Sequence, residues 1–443
     1  MSITKSVKET LNSVGPGFCP QKWRWLGLSL HTGQTHSCYH PPFIPIPLDE
    51  IKLDPSALHN NSSAKQDRKM MLEGERPVGC SFCWNIEDIG GSSDRIIRNH
   101  PSANSLLDYI PETELLRSTP WDSNVNPYML EVSFSNSCNF KCGYCCPAFS
   151  SLWQEEIVNN GNYDISFKQQ YELPKKIYSE KEYNPYVEAF WKWWPDLKND
   201  LKIFRITGGE PLMTTNTFKL LDLLKEDGNP ELLLQVNTNL GVTNRKVKDF
   251  CERIQGLIDS NNIKNLRLFT SLECTGAQAE YIRRGLNYEL FLENVNTVLE
   301  TVPTAYLSFM STYNVLTVPY YKDFLQLIVE LRERWGDRIL IDIPHLKEPP
   351  HWTMNVLTED WVTYIDNDIE FMRNNGFRTV EIAKMNRIRE YFLEDSHAIT
   401  EEYRLNARRD FARFFPEYDR RSNNSLIQVF PEFKDFLEWC KNE

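Results

Sequence analysis

Between residues 128 and 345, short apolar runs alternate with amphipathic stretches, and this alternation limits the folds open to the chain more than any other feature. Runs rich in Val, Ile, Leu and Phe stand at 128–135, 201–207, 232–238, 265–273, 305–312 and 338–344. Stretches of helical period lie between them, at 186–198, 215–226, 244–259, 288–301 and 320–335. A helix that joins two strands returns the chain to the same end of the sheet, so the strands run parallel. Six such units predict an α/β fold with a partial (β/α)6 barrel, short of a closed eightfold one. Ligands of such barrels gather at the C-terminal ends of the strands, so the residues just past each run are the first candidates for chemistry.

The flanks differ in texture. Residues 1–125 are rich in Pro, Ser, Asn and His and show weak periodicity. Such a stretch is expected to bury little apolar surface and to need a staple, which bound metal would supply. Residues 126–345 form the barrel. Residues 346–443 read mainly as helix, at 358–375, 385–394 and 400–413, then YDRRSNNSLIQVFPEF and a last helix, KDFLEWCKN. The net charge of −12 makes a nucleic-acid phosphate backbone a poor partner. The first residues lack the apolar core of a signal peptide, and no window approaches a membrane span. A cytoplasmic protein is therefore expected, with its 11 cysteines reduced and open to metal or cluster ligation.

The strongest local signal is SCNFKCGYC, which sets Cys138, Cys142 and Cys145 at C-x3-C-x2-C directly after the first barrel strand. Three thiolates this close suit three irons of one [4Fe–4S] cube, leaving the fourth iron open to an outside ligand. The competing reading is structural zinc, which would want a fourth protein ligand nearby. Cys146 is adjacent in sequence but points elsewhere if Cys145 is a ligand.

With Tyr144 before its last cysteine, the triad resembles the signature of the radical S-adenosylmethionine (SAM) superfamily. Further segments resemble that family in order along the barrel. Gly208-Gly209-Glu210 follows the second strand and looks like the family's GGE motif. Asn237 and Asn239 end the third strand, and Ser271 and Glu273 end the fourth. Tyr281-Ile282-Arg283-Arg284-Gly285 is similar to a YIRxG segment. The resemblance implies a TIM-like partial barrel that binds SAM and a [4Fe–4S] cluster. Glu210 would accept from the SAM amino group, the Asn, Ser and Glu positions would make polar or ribose contacts, and Arg283 or Arg284 would reach the SAM carboxylate. Such an enzyme, of oxidoreductase or transferase type, cleaves SAM to a 5′-deoxyadenosyl radical and takes its electron from a donor such as flavodoxin or ferredoxin.

A second cysteine group lies upstream. Thirteen residues separate Cys19 from Gly33, four separate Gly33 from Cys38, and Arg68, Leu72, Gly74 and Pro77 lead to Cys80-x2-Cys83. This pattern resembles the SPASM or twitch module, which carries an auxiliary cluster. It departs from the full module in preceding the barrel and in having no cysteine between Cys83 and Cys138. The resemblance implies one auxiliary [4Fe–4S] cluster on Cys19, Cys38, Cys80 and Cys83, and a peptide or protein substrate. Zinc on these cysteines, or on three of them with His36 or His40, is the alternative. Modification of a nucleotide, sugar or other small molecule is the rival reaction, and a zinc-binding interaction protein is the non-enzymatic rival.

Other features read more plainly. Cys251 and Cys440 sit in helical patterns as small buried hydrophobes. Cys274, just past the fourth strand, is either packing or a hydrogen-atom donor to a substrate radical. AFWKWWP (189–195) is core-type packing or a substrate platform. Asp419, Arg420 and Arg421 form a solvated or ion-paired cluster, and LIQVFPEF reads as an anchoring strand or turn.

Overall fold

The computed structural model describes residues 3–99, 113–393 and 400–442. In chain order its strands are β1 (Trp25–Ser29), β2 (Gln34–His36), β3 (Ile44–Pro45), β4 (Met129–Ser133), β5 (Lys141–Cys142), β6 (Ile203–Thr207), β7 (Asn229–Thr238), β8 (Ile263–Ser271), β9 (Arg283–Arg284), β10 (Tyr306–Met310) and β11 (Ile339–Asp342). The strands β4, β6, β7, β8, β10 and β11 are the six expected ones. They lie side by side in that order, all parallel. The helices Pro185–Leu197, Thr215–Glu226, Asn244–Asp259, Tyr288–Thr301 and Tyr321–Trp335 fall between them. The result is a mixed α/β fold built on a mostly parallel sheet, a partial TIM-like barrel.

Strand periodicity sorts the side chains between two faces. In β6, Phe204 packs on Phe190 and Trp194 of helix Pro185–Leu197, at ring centroid distances of 6.2 and 5.6 Å. Arg205, its neighbour, turns to the opposite face, the barrel lumen. In β8, Leu266 and Leu268 are buried towards the helices and Arg267 alternates with them. Helix starts are capped where the sequence offers a short polar side chain. Asn184 accepts from Tyr186 N and Val187 N, Thr214 from Asn216 N and Ser150 from Trp153 N.

The N-terminal region departs from expectation. β1 pairs with β4 in parallel along its whole length, from Trp25 opposite Met129 to Ser29 opposite Ser133. β2 and β3 then extend the sheet antiparallel. All five residues of β1 are buried, and Leu26, Leu28, Leu30, Ile51 and Leu58 join the barrel's core. The expectation that this stretch buries little apolar surface is thereby corrected. WLGLS gives little strand signal in the sequence because it is short and lacks alternation. Leu11, Phe18, Trp23, Met71, Trp84 and Leu116 form a separate small core beside Cys19, Cys80 and Cys83. Residues 100–112 of the expected N-terminal module lie outside the described residues.

The C-terminal segment is helical as expected, with one long element. Helix Glu401–Ser422 runs on through Tyr418 and Arg421, beyond the expected end at 413. LIQV is a single helical turn, Leu426–Val429, rather than a strand. Among the described residues no helix is long and apolar enough to cross a membrane.

Candidate cluster and SAM site

The loop after β4 carries the triad, and backbone contacts to two other strand ends hold it. Gly209 N donates to Ser135 O at 3.0 Å and Glu210 N to Ser137 O at 2.7 Å, tying the end of β6 to the residues just before Cys138. This approach explains both glycines. A Cβ at Gly209 would stand 2.2 Å from Ser137 O. One at Gly208, whose φ is +114°, would stand 2.4 Å from Ser133 Oγ. The glycines thus make room for the triad loop itself.

Glu210 is buried and takes three donors from the protein. Its Oε1 accepts from Leu212 N (2.9 Å) and Thr238 Oγ1 (2.7 Å), and its Oε2 from Asn239 N (2.7 Å). Burial pushes its carboxyl up to about 7 against these bonds. An ionised carboxylate has roughly four acceptor sites, so one stays free for a further donor. Asn239 is braced by Asn139 Oδ1 (2.8 Å), and its Nδ2 also points at Cys138 Sγ, 3.8 Å away. Asn237 faces the lumen, where its Oδ1 accepts from Arg205 Nε at 2.9 Å. Ser271 closes β8 at the barrel mouth.

The arginine pair is drawn to the triad by a two-residue ribbon. In it β5 and β9 are antiparallel, Cys142 opposite Arg283 and Lys141 opposite Arg284. Arg283 is buried and paired with buried Glu273, through Nε at 2.8 Å and Nη2 at 2.6 Å. It also donates from Nη2 to Tyr144 Oη (2.6 Å) and from Nη1 towards Cys142 Sγ (3.5 Å), while Tyr144 Oη donates to Glu273 at 2.9 Å. Arg283, Glu273 and the half-buried Tyr144 are therefore one hydrogen-bonded unit that puts positive charge on a triad sulfur. Arg284 turns to Glu156 (3.3 Å) and to Arg421 O (3.3 Å).

The donor set fits a cationic iron core. All three triad cysteines are free thiols. Burial pushes the Cys138 thiol up to about 12, with Cys142 adding to it, and holds Cys145 well above its usual range, with Cys146, Cys142 and Cys138 adding. Cys142 is also raised by burial, against the pull of Arg283. Three thiolates gathered here would repel one another in a dry site, and cluster irons remove that cost. The loop is packed from above by the C-terminal segment. Trp352 meets Tyr144 at 5.9 Å between centroids and fills the space beside Gly143. Tyr171 Oη donates to Gly143 O at 3.1 Å.

The four N-terminal cysteines, Cys19, Cys38, Cys80 and Cys83, line one cavity, with Lys22, Arg95 and Arg98 supplying positive charge. Burial pushes the Cys80 thiol up to about 11 and raises Cys19 and Cys83. Arg95 forms a buried pair with Glu87 at 2.8 Å. Of the two histidines weighed for zinc, His40 lines the cavity but is held by Asp94 at 2.8 Å. His36 lies against Cys38 O through Nδ1, at 2.6 Å. Among the described residues no three His, Cys, Asp or Glu are gathered tightly enough for a single ion. Of the remaining thiols, Cys251, Cys274 and Cys440 are buried and Cys146 is half-buried.

The site also contains lumen residues that the sequence reading missed. Tyr39 Oη donates to Glu131 Oε2 (2.7 Å), and Arg205 Nη1 reaches Tyr39 Oη (3.3 Å) and Glu131 (3.7 Å). Arg267 Nε donates to Ser308 Oγ at 3.1 Å. A signal was present: LEV, FRI and LRL each place a charge at an alternate position of an apolar strand, on the face away from the helices.

Residues 132–328 match the family model described as the Radical SAM superfamily. The chain carries a radical SAM domain, and the matched span runs from β4 into the helix before β11. A domain of this family implies SAM and a [4Fe–4S] cluster as cofactors. Among solved structures it is similar to the FeFe-hydrogenase maturase HydG from Carboxydothermus hydrogenoformans. The identity is 14% over 89% of this chain and 97% of that one, and the TM-score of 0.30 is too low to bear on fold or function. No curated protein matches the chain.

Proposed function

We propose that this enzyme cleaves SAM reductively at a [4Fe–4S] cluster on Cys138, Cys142 and Cys145 and removes a hydrogen atom from a peptide or protein substrate. A second [4Fe–4S] cluster on Cys19, Cys38, Cys80 and Cys83 and a cytoplasmic one-electron donor, such as flavodoxin or ferredoxin, belong to the same reading. The observation that carries it is the triad loop, whose three half-buried thiols lie at the barrel mouth with the Arg283 guanidinium on one of them. When bound, cluster and SAM together supply a 5′-deoxyadenosyl radical able to take hydrogen from an unactivated carbon. The chain's own part is to position and to exclude water. Arg283 steadies the sulfur of Cys142, and Glu210 keeps the β6 and β7 ends together with an acceptor site to spare. Trp352 and Tyr171 shield the loop from solvent. The peptide substrate is supported by the N-terminal cysteine pattern.

The test is iron and sulfide content after anaerobic reconstitution, with 5′-deoxyadenosine formation under strong reduction. About eight irons per chain are expected, falling to about four in the Cys138/Cys142/Cys145→Ala variant, with SAM cleavage lost. A wild type that binds no iron would sink the proposal, and zinc at the N-terminal site would reduce it to one cluster. Modification of a peptide or protein, read by mass spectrometry, checks the substrate class.

A further inference from the structure

The barrel lumen carries more positive charge than its own acids balance. Arg205 and Arg267 stand on the strands β6 and β8, two apart in the sheet, each in register with Gln235 of β7 between them. Their guanidinium carbons lie 4.3 and 4.8 Å from the centre of one ring, that of Phe269. Arg205 has Glu131 at 3.7 Å, Tyr39 and Asn237 as partners. Arg267 has only Ser308 Oγ, through Nε. Among the described residues nothing accepts from its Nη1 or Nη2. The acid that acts on it electrostatically, Asp342, is already paired with Lys384. One guanidinium is thus left with both outer nitrogens open, beside a second guanidinium, in a chain of net charge −12.

We propose that this pair, set side by side by the ring of Phe269, anchors the substrate by a carboxylate held between the Nη groups of Arg267 and Arg205. The proposal rests on the reading of the barrel mouth as the radical site and names the substrate's chemistry there. A guanidinium offers two parallel N–H donors matched to a carboxylate's two oxygens. A monoanion suits the balance of charge. Glu131, 3.7 Å from Arg205, adds repulsion against a phosphate dianion.

The same geometry sets a spacing. Arg205 lies two residues and Arg267 four residues before the strand ends at Thr207 and Ser271. At roughly 3.3 Å per residue, the anchor sits about 7–13 Å below the mouth. The carbon that loses hydrogen therefore stands about two to four residues along an extended peptide from the acidic side chain or C-terminal carboxylate in the lumen.

Saturation-transfer NMR on the reconstituted enzyme, with glutarate and its uncharged diamide glutaramide as probes, tests this. Glutarate should give a signal and glutaramide none. Arg267→Gln should weaken glutarate at least tenfold, as expected for loss of one charge-assisted pair, while melting temperature and iron content show that the barrel folds. Arg267→Lys keeps the charge and should retain weaker binding. Equal signals from both probes, or glutarate binding unaltered in Arg267→Gln, would overturn the anchor. Displacement of glutarate by an equal concentration of inorganic phosphate would overturn its assignment to a carboxylate. Glutarate binding in an enzyme that fails to cleave SAM would leave the anchor standing and remove the radical reading.

Discussion

The two cysteine sites are built in opposite ways. Cys138, Cys142 and Cys145 lie within eight residues on one loop, and the barrel fixes that loop through Gly209 N, Glu210 N and the β5–β9 ribbon. Cys19, Cys38, Cys80 and Cys83 are spread over 65 residues and meet only because a small apolar core gathers their segments. Both sites nonetheless share one device, a buried Arg–Glu pair beside the thiols: Arg283–Glu273 at 2.6 Å and Arg95–Glu87 at 2.8 Å. The paired glutamate holds a guanidinium in a dry place where it would otherwise be costly. A local site is legible as a motif, whereas a distributed one depends on packing.

The comparison breaks most sharply on the cysteines themselves. Replacing the triad by alanine should abolish 5′-deoxyadenosine formation and halve the iron, whereas Cys80→Ala with Cys83→Ala should halve the iron and lower the melting temperature. Equal loss of chemistry and stability in both variants would erase the distinction.

Next come the ion pairs. Arg283→Met and Arg95→Met each strand a buried carboxylate, and each should cost about 3–5 kcal/mol by chemical denaturation. If either costs under about 1 kcal/mol, that pair is not a support.

Smaller effects are expected from the glycines. A Cβ at Gly209 meets Ser137 O at 2.2 Å and one at Gly17, next to the first cysteine segment, meets Glu75 O at 1.7 Å. Each Gly→Ala change should cost about 1–3 kcal/mol, with Gly209→Ala alone also slowing SAM cleavage.

The gentlest test is of pH. His351, buried against Tyr171 and Phe414, is pushed down to about 3 by burial. The unfolded chain gains its proton near 6.5 and the folded one does not, so stability should fall as pH drops from about 6.5 towards 3. His351→Phe should flatten that slope when melting is followed across the range, and an unchanged slope would assign it to other groups.

Much of the barrel was legible because strand and helix periods differ and several helices have a plain start. The helix Thr215–Glu226 begins where Thr214 offers a cap, and in the helix before it Pro185 follows the capping Asn184. β1 was not legible. Five residues with no alternation look like any short apolar run, and only pairing with β4 makes them a strand. Within the site, the triad and Gly208–Glu210 could be read because their spacing is local. The role of Glu273 could not, since its partners Tyr144 and Arg283 come from segments distant in sequence. Arg205 and Arg267 left a trace in strand alternation, but their shared ring, Phe269, is fixed only by the sheet's register.

The β5–β9 ribbon also orders events during synthesis. Cys142 and its guanidinium partner Arg283 are 141 residues apart in the chain. At about 5–20 residues per second, a ribosome takes roughly 7–28 s to make the second after the first. During that interval the triad thiols exist without the strand that braces them, and Trp352, which covers them, is made later still. An iron donor acting on the nascent chain would meet an open loop. One acting after release would have to deliver through a closed one.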